Sequence, residues 1–365
     1  MLICPDPRDQ LVALLYQAMP PPVINGIRKD PKPGGYSDSG ADIAFALRNA
    51  GVRIVTPQPD PDPAEAMDWV FPDTPEGIAA ALDAGATLLF ANTVLFAGHP
   101  LESVMGRCWI VGQLPAAMQA ADDKFATNAR LRAAGLPVAA SVLAAPTARD
   151  NVHALESLTP EKLATLGLAF PLIVKPVRGR GSQGVTLVDD HAAFQRASAE
   201  LIDSGRFGDE LIVEQFLSGT EITVTVMPQR FGQDGVMRAP RPLPPVRRFN
   251  HEHGVAPYNG IVAVTSNSVA LTGAEQAEPA ISAMLDACVH AARLVEARAP
   301  IRIDCRADAD GTLRLFDLNM KPNMTGAGRP GRADQDSLSA IAARACGWDY
   351  SELLLRMLDD AWKEV

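Results

Sequence analysis

Between residues 171 and 188 the chain runs from one apolar strand, Leu172-Ile173-Val174-Lys175, through a glycine-rich loop into another, Val185-Thr186-Leu187-Val188. The loop, Gly179-Arg180-Gly181-Ser182-Gln183-Gly184, has G-x-G-x-x-G spacing. In a dinucleotide-binding fold a helix must start inside such a loop, so that its N-terminus faces the pyrophosphate. A strand follows here instead, which counts against that reading. No G-x-x-x-x-G-K-[ST] run occurs, so a P-loop is excluded. Two readings remain: a tight turn that needs glycine for its backbone, or a flap whose N–H groups fold over phosphates while Lys175 supplies charge.

Two further segments carry chemistry. The strand at 211–216 runs into a short turn bearing Glu214 and Glu221. A strand edge can offer N–H and C=O groups to an adenine, and a carboxylate can accept from ribose hydroxyls; exposed glutamates at strand ends are also common for no such reason. Farther on, strands at 301–307 and 312–318 flank Asp308-Ala309-Asp310-Gly311, a hairpin signal. Period-2 alternation puts Arg302 with Asp304, and Asp317 with Asn319, each on one face. Pairing would join all four, and two carboxylates with an amide oxygen are hard ligands suited to Mg²⁺. A merely solvated hairpin face fits poorly, because Ile301, Ile303, Cys305, Leu313, Leu315 and Leu318 flank these polar residues. His251-Glu252-His253 reads as a solvated loop. Cys305 reads as a strand core residue, since no histidine accompanies it.

At 365 residues the chain has room for two or three domains. The expected division is an open α/β domain over 1–117, a second unit over 118–209 and a third over 210–365. Predicted helices at 41–50, 75–84, 122–134, 160–166, 191–204, 274–297 and 337–363 alternate with strands at 52–55, 86–91, 139–143, 221–227 and 261–265. A proline-rich patch at 56–75 reads as a loop around one short segment, and 228–259 reads as an irregular excursion of the kind that is usually functional. The net charge of −10 disfavours non-specific binding of nucleic acid, which begins with phosphate neutralisation, and disfavours a polybasic membrane anchor. No apolar run reaches the roughly 20 residues of a membrane span. The first nineteen residues lack a cleavable signal pattern. The five cysteines form no C-x-x-C pair and are odd in number, which fits a reduced, cytoplasmic protein.

In their order, these motifs resemble the ATP-grasp superfamily, and within it the D-alanine–D-alanine ligase-like branch. Asp123-Lys124 with Gly135-Leu136-Pro137 is similar to that family's first ATP-lysine helix. Lys175-Pro176 with Gly179, Gly181, Ser182 and Gly184 is similar to its second lysine and phosphate flap. Glu214, Gln215, Phe216, Leu217 and Glu221 are similar to its adenine hinge and ribose carboxylate. Arg302, Asp304, Asp317 and Asn319, followed by Lys321-Pro322-Asn323, resemble its magnesium hairpin and acceptor turn. The resemblance covers about 122–358 and is thin over the first 115 residues.

What it implies is an α/β, ATP-grasp fold with an N-terminal open α/β domain, and an ATP-dependent carboxylate–amine ligase that proceeds through an acyl phosphate. ATP would be held by Lys124, Lys175, the flap and the hinge. Mg²⁺, with Mn²⁺ as a substitute, would be held by Asp304, Asp317 and Asn319. Arg302 and Lys175 would be catalytic, and Asn323, Lys321, Arg329 and Tyr258 would face substrate. Small-molecule carboxylate and amine substrates are the expected partners, with no nucleic acid and no membrane; a homodimer is left open. The departures bear on specificity. Asp317 stands where the family usually has glutamate, Gly181 where a second flap serine is usual, Asn323 where glycine is usual and Gly328 where a hydroxyl residue is usual. These changes leave the ATP machinery in place and point away from D-alanine. Arg329, aided by Lys321, is expected to clamp the carboxylate of a different acceptor.

Overall fold

The computed structural model describes residues 6–179, 181–231, 236–251, 264–332 and 334–364. A first, parallel sheet comprises β1 (Leu11–Tyr16), β2 (Arg53–Val55), β3 (Val70–Pro72), β4 (Leu88–Asn92) and β5 (Trp109–Val111). β1 pairs with β4 on one side and with β2, then β3, on the other, and β4 carries β5. The central strands β1 and β4 are buried and almost wholly apolar because both faces are covered. Val12 and Leu14 join Ile43 and Leu47 of α1 (Ser37–Asn49), while Ala13 and Leu15 join Ile78 and Ala81 of α2 (Pro75–Asp83). This is the open α/β arrangement expected of the first 115 residues.

After α3 (Pro115–Ala121) and α4 (Lys124–Ala133), a second sheet forms from β6 (Ser141–Ala145), β7 (Val152–Ala154), β8 (Leu172–Pro176), β9 (Thr186–Val188) and β10 (Leu211–Gln215), in the order β9-β8-β10-β6-β7. It has a separate core, in which Leu163 of α5 (Pro160–Thr165) and Phe194 and Leu201 of α6 (His191–Asp203) pack on Leu172, Val174, Leu211 and Val213. β10 was expected to open the third unit at 210. Instead it lies hydrogen-bonded between β8 and β6, because Leu211 and Val213 complete this core.

The third sheet runs β14-β13-β11-β15-β16, from β11 (Glu221–Met227), β12 (Arg241–Pro242), β13 (Val246–Arg248), β14 (Ser268–Ala270), β15 (Ile301–Ala307) and β16 (Leu313–Asn319), with β12 also on β11. Met284, Cys288 and Ala291 of α7 (Pro279–Leu294) pack on Ile222, Val224, Ile303 and Cys305, in a core continuous with Ala13 and Leu15 of the first sheet. Leu338 of α8 (Leu338–Ala345) and Leu353 and Leu354 of α9 (Tyr350–Leu358) share the other core with Ile43 and Leu47. Trp362 exchanges backbone hydrogen bonds with Ile110 and donates its indole N–H to Gly112 O at 2.8 Å. The first and third sheets are thus one packed body, with the second against its side.

Four expected elements differ. The segment 228–259, expected to be an irregular excursion, contributes β12 and β13 to the third sheet. The helix at 274–297 is two helices, because Pro279 starts a new one at its first turn. The helix at 337–363 breaks at Gly347, whose φ of +83° ends α8. The described part of the strand at 261–265 is a 3-10 turn, Val264–Ser266, and the strand follows as β14; residues 261–263 lie outside the described residues. No helix among the described residues is long and apolar enough to cross a membrane.

Candidate active site

β15 and β16 pair as the alternation requires: Arg302 lies opposite Asn319 and Asp304 opposite Asp317. Arg302 donates to both oxygens of Asp304, at 3.2 and 3.1 Å, and Thr223 Oγ1 of β11 donates to Asp304 Oδ1 at 2.7 Å. The register then slips, so that Cys305 faces Leu315 and Phe316 is the extra residue of a bulge. The bulge turns the Phe316 carbonyl toward Asn128 Nδ2 at 3.3 Å and Lys175 Nζ at 3.4 Å.

Two lysines close on this hairpin from different elements. Lys124 opens α4, whose N-cap Asp123 accepts from Ala126 N. Its ammonium pairs with Asp317. Lys175 of β8 and Glu214 of β10 are diagonal neighbours across the antiparallel pair, and their buried side chains meet at 2.6 Å. Burial would lower Lys124, but Asp317 beside it more than offsets this and holds its pKa above the usual lysine value. Burial likewise opposes the Asp317 carboxylate, yet Lys124 and Lys175 hold its pKa below the ordinary range. Burial pushes Glu214 upward, against Lys175. Among the described residues Glu214 Oε2 accepts no hydrogen bond, so a buried acceptor is left on the wall beside Gln215, Phe216 and Leu217.

The two lysines, Glu214 and the polar face of the hairpin line one cavity of about 780 Å³, a size suited to small-molecule ligands. It gathers Lys124, Lys175, Gly179, Gly181, Ser182, Glu214, Gln215, Phe216, Leu217, Glu221, Arg302, Asp304, Asp317, Asn319, Lys321 and Asn323. Asn323 Oδ1 is engaged by Thr325 Oγ1 at 2.6 Å, which holds the turn after β16. Lys321 Nζ donates to Asn92 Oδ1 at 2.8 Å, and burial together with nearby Lys32 pushes its pKa well below the ordinary lysine range. Tyr258, like Glu252 and His253, lies outside the described residues. Among the described residues no group of three or more His, Cys, Asp or Glu side chains forms a metal cage. The hairpin instead offers two carboxylates and an amide, a partial set of hard oxygen donors that phosphate oxygens would complete.

Two nominated residues are elsewhere. Gly184 is not on the cavity wall: with φ +71°, its Cβ position lies 3.0 Å from Leu201, 3.1 Å from Phe207 and 3.2 Å from Pro176, so it seats the base of the loop. Arg329 does not face an acceptor. It is 5% exposed, with Nε on Asp42 Oδ1 at 2.9 Å, Nη1 on Pro63 O at 3.2 Å and Nη2 on Asp38 Oδ1 at 3.0 Å. A buried guanidinium with these partners is committed to joining the acceptor turn to α1. Gly328 explains itself the same way, since a Cβ there would lie 2.3 Å from Asp42 O.

Arg248 and Arg306 are wall residues that had not been singled out, and the expected Glu221 lies in register between them. His251, expected to be a solvated loop residue, instead meets Glu221 Oε2 through Nε2 at 2.8 Å. Arg306 continues the period-2 face of Arg302 and Asp304, a signal present in the sequence. Gln17, Lys32 and Tyr36 come from the first sheet's loops, where no periodicity marks them.

The family model described as D-ala D-ala ligase C-terminus matches residues 131–359. The D-alanine–D-alanine ligase of Chromohalobacter salexigens is 30% identical over 237 residues, 65% of this chain and 64% of that protein. The chain therefore spans just under two thirds of the length of that relative. The ligase of Gloeobacter violaceus is 24% identical over 326 residues, 88% of this chain and 92% of that protein. The fold matches a crystal structure of the Bacillus anthracis D-alanine–D-alanine ligase complexed with ATP, at a TM-score of 0.62 and 16% identity over 95% of this chain and 96% of that one. It matches the Coxiella burnetii enzyme at 0.64 and 15%, over 96% and 94%.

Proposed function

The chain belongs to the D-ala D-ala ligase C-terminus family of ATP-grasp proteins, and from that premise we propose that it is an ATP-dependent carboxylate–amine ligase, releasing ADP and phosphate. The observation that carries the reading is the hairpin face of Arg302, Asp304, Asp317 and Asn319, closed by Lys124 and Lys175.

The residues present fit the groups such a reaction needs. Glu214 Oε2, buried and without a hydrogen bond, suits the exocyclic amine of an adenine. Asp304, Asp317 and Asn319 would hold Mg²⁺. Bound MgATP supplies the phosphoryl group that activates a substrate carboxylate. Phosphoryl transfer then depends mainly on positioning and charge. In that role Lys124 and Lys175 carry the positive charge that meets phosphate, each already positioned by its own carboxylate. Arg302, fixed by two hydrogen bonds to Asp304, presents a guanidinium to the negative charge that develops when an amine attacks the activated carbonyl. Asp304 and Asp317 each hold a cation here, so the Arg302 and Lys124 pairs would be shared or displaced when Mg²⁺ binds, freeing positive charge for the phosphates.

On substrate, the reading is an amino-acid-like pair other than D-alanine with D-alanine. Gly328 has no hydroxyl and no room for one. The test is the nucleotide product on a panel of carboxylates and amines with MgATP. ADP and phosphate are expected, with Asp304→Asn and Asp317→Asn each losing at least about 100-fold in turnover, as for a charged transition-state stabiliser. AMP with pyrophosphate, or full turnover in both variants at limiting Mg²⁺, contradicts the reading.

A further inference from the structure

Open α/β sheets bind ligands at the carboxyl ends of their strands, and at that end of β4 the cavity has a corner of unusual charge. Asn92, the last residue of β4, is 1% exposed. Its Nδ2 donates to Tyr36 O at 3.0 Å and to Ser39 Oγ at 2.9 Å, which leaves Oδ1 to accept from Lys321 Nζ at 2.8 Å. Tyr36 itself is held at φ +67°, in the left-handed region, at the head of α1. Its ring takes two ammonium groups: Lys321 Nζ lies 4.2 Å from the centroid and Lys32 Nζ 4.0 Å.

Other cations on the wall face their own carboxylates: Lys29 meets Asp122, Lys124 meets Asp317 and Lys175 meets Glu214. Lys321 does not. Among the described residues its partners are neutral: Asn92 Oδ1, Pro322 O at 3.3 Å and the Tyr36 ring. A half-buried ammonium with neutral partners beside a second ammonium is unfavourable until an anion joins them. Independently, Gln17 on the same wall is 7% exposed, and among the described residues its Oε1 accepts no hydrogen bond. Gln17 N donates to Gly35 O at 2.7 Å, which fixes it against the turn that carries Tyr36.

We propose that Lys321 and Lys32, seated on Tyr36, form a subsite for a substrate carboxylate that is not activated in the reaction, with Gln17 Oε1 accepting from an N–H or O–H of the same molecule. The substrate class is then a compound carrying a carboxylate besides the one activated, such as a dicarboxylate or an acidic amino acid. This rests on the ligase reading of the cavity.

The test titrates the full chain, with Mg²⁺ and a non-hydrolysable ATP analogue, against glutarate, both enantiomers of glutamate, and butyrate as the monocarboxylate control. Wild type, Lys321→Met and Lys32→Gln are compared, and analogue affinity is measured separately for each. At least one two-carboxylate probe should bind wild type about tenfold or more tighter than butyrate, the scale of one charge-assisted hydrogen bond. Both variants should lose that preference and keep their affinity for the nucleotide analogue. If Lys321→Met does not fold, Lys32→Gln, on a loop, carries the comparison. Equal binding of all probes by wild type, or a preference that survives in the variants, overturns the subsite while leaving the ligase reading standing. Wild type that fails to bind the nucleotide analogue overturns both.

Discussion

Arg329 Nε donates to Asp42 Oδ1 at 2.9 Å, joining residues 287 positions apart. Asp42 is fully buried on α1, and Arg332 Nε meets the same carboxylate at 2.8 Å. The turn after β16 is thereby fastened to the first sheet's helix, which sets how the two halves of the cavity face each other. Arg329→Ala should therefore act on stability. The expected cost is about 3 kcal/mol, at the low end for breaking a buried ion pair because Arg332 remains. Urea unfolding measures it, alongside KM for ATP, which should not change. Unaltered stability with a large rise in a substrate KM would return Arg329 to the acceptor site.

Gly328 makes a companion prediction. Restoring the hydroxyl usual in the resembled family, Gly328→Ser, drives a Cβ into the Asp42 carbonyl at 2.3 Å. It should destabilise by about 1–3 kcal/mol, the usual range for overpacking, and should not create D-alanyl-D-alanine synthesis. A stable variant that makes the dipeptide would show that α1 yields easily and that this glycine is a specificity switch.

Asp73 tests the loop that presents Gln17. Its Oδ1 accepts from Ala18 N at 2.8 Å and Met19 N at 2.7 Å, and His99 Nε2 meets its Oδ2 at 3.1 Å, all within the first sheet's core. Burial pushes its carboxyl upward, but His99, Thr93 and the Met19 amide more than offset this, so its pKa lies below the ordinary value. A depressed folded pKa stabilises the fold above the unfolded value, about 3.9, and that stability is lost as pH falls through the folded value. Asp73→Asn should thus be about 1–3 kcal/mol less stable than wild type at pH 7, and the gap should narrow below about pH 4. A gap that is constant from pH 7 to pH 3 would mean the charge is irrelevant.

The polar face of the β15–β16 hairpin was legible because polar residues interrupt two apolar strands at period 2, and strand pairing does the rest. Lys175 and the glycine loop were legible because a strand, and no helix, follows the glycines. Arg329 was misread for a physical reason: a cation in a turn can face a ligand or a distant carboxylate, and Asp42 gives no local sign of which. β10 was placed at the head of the unit from 210 because one apolar strand fits either neighbour until its core partners, Leu172 and Phe194, are known. Lys32, Tyr36 and Gln17 reach the cavity from irregular loops, where no period marks a face.

In the proposed reaction a substrate carboxylate is activated by direct phosphorylation. Its most direct test uses a turned-over carboxylate substrate labelled with ¹⁸O, followed by mass analysis of the phosphate and nucleotide released. When an amine displaces phosphate from an acyl phosphate, the bridging oxygen leaves with the phosphate, so the label should appear in inorganic phosphate, one atom per turnover, beside unlabelled ADP. Label in AMP, or phosphate free of label, would contradict the account.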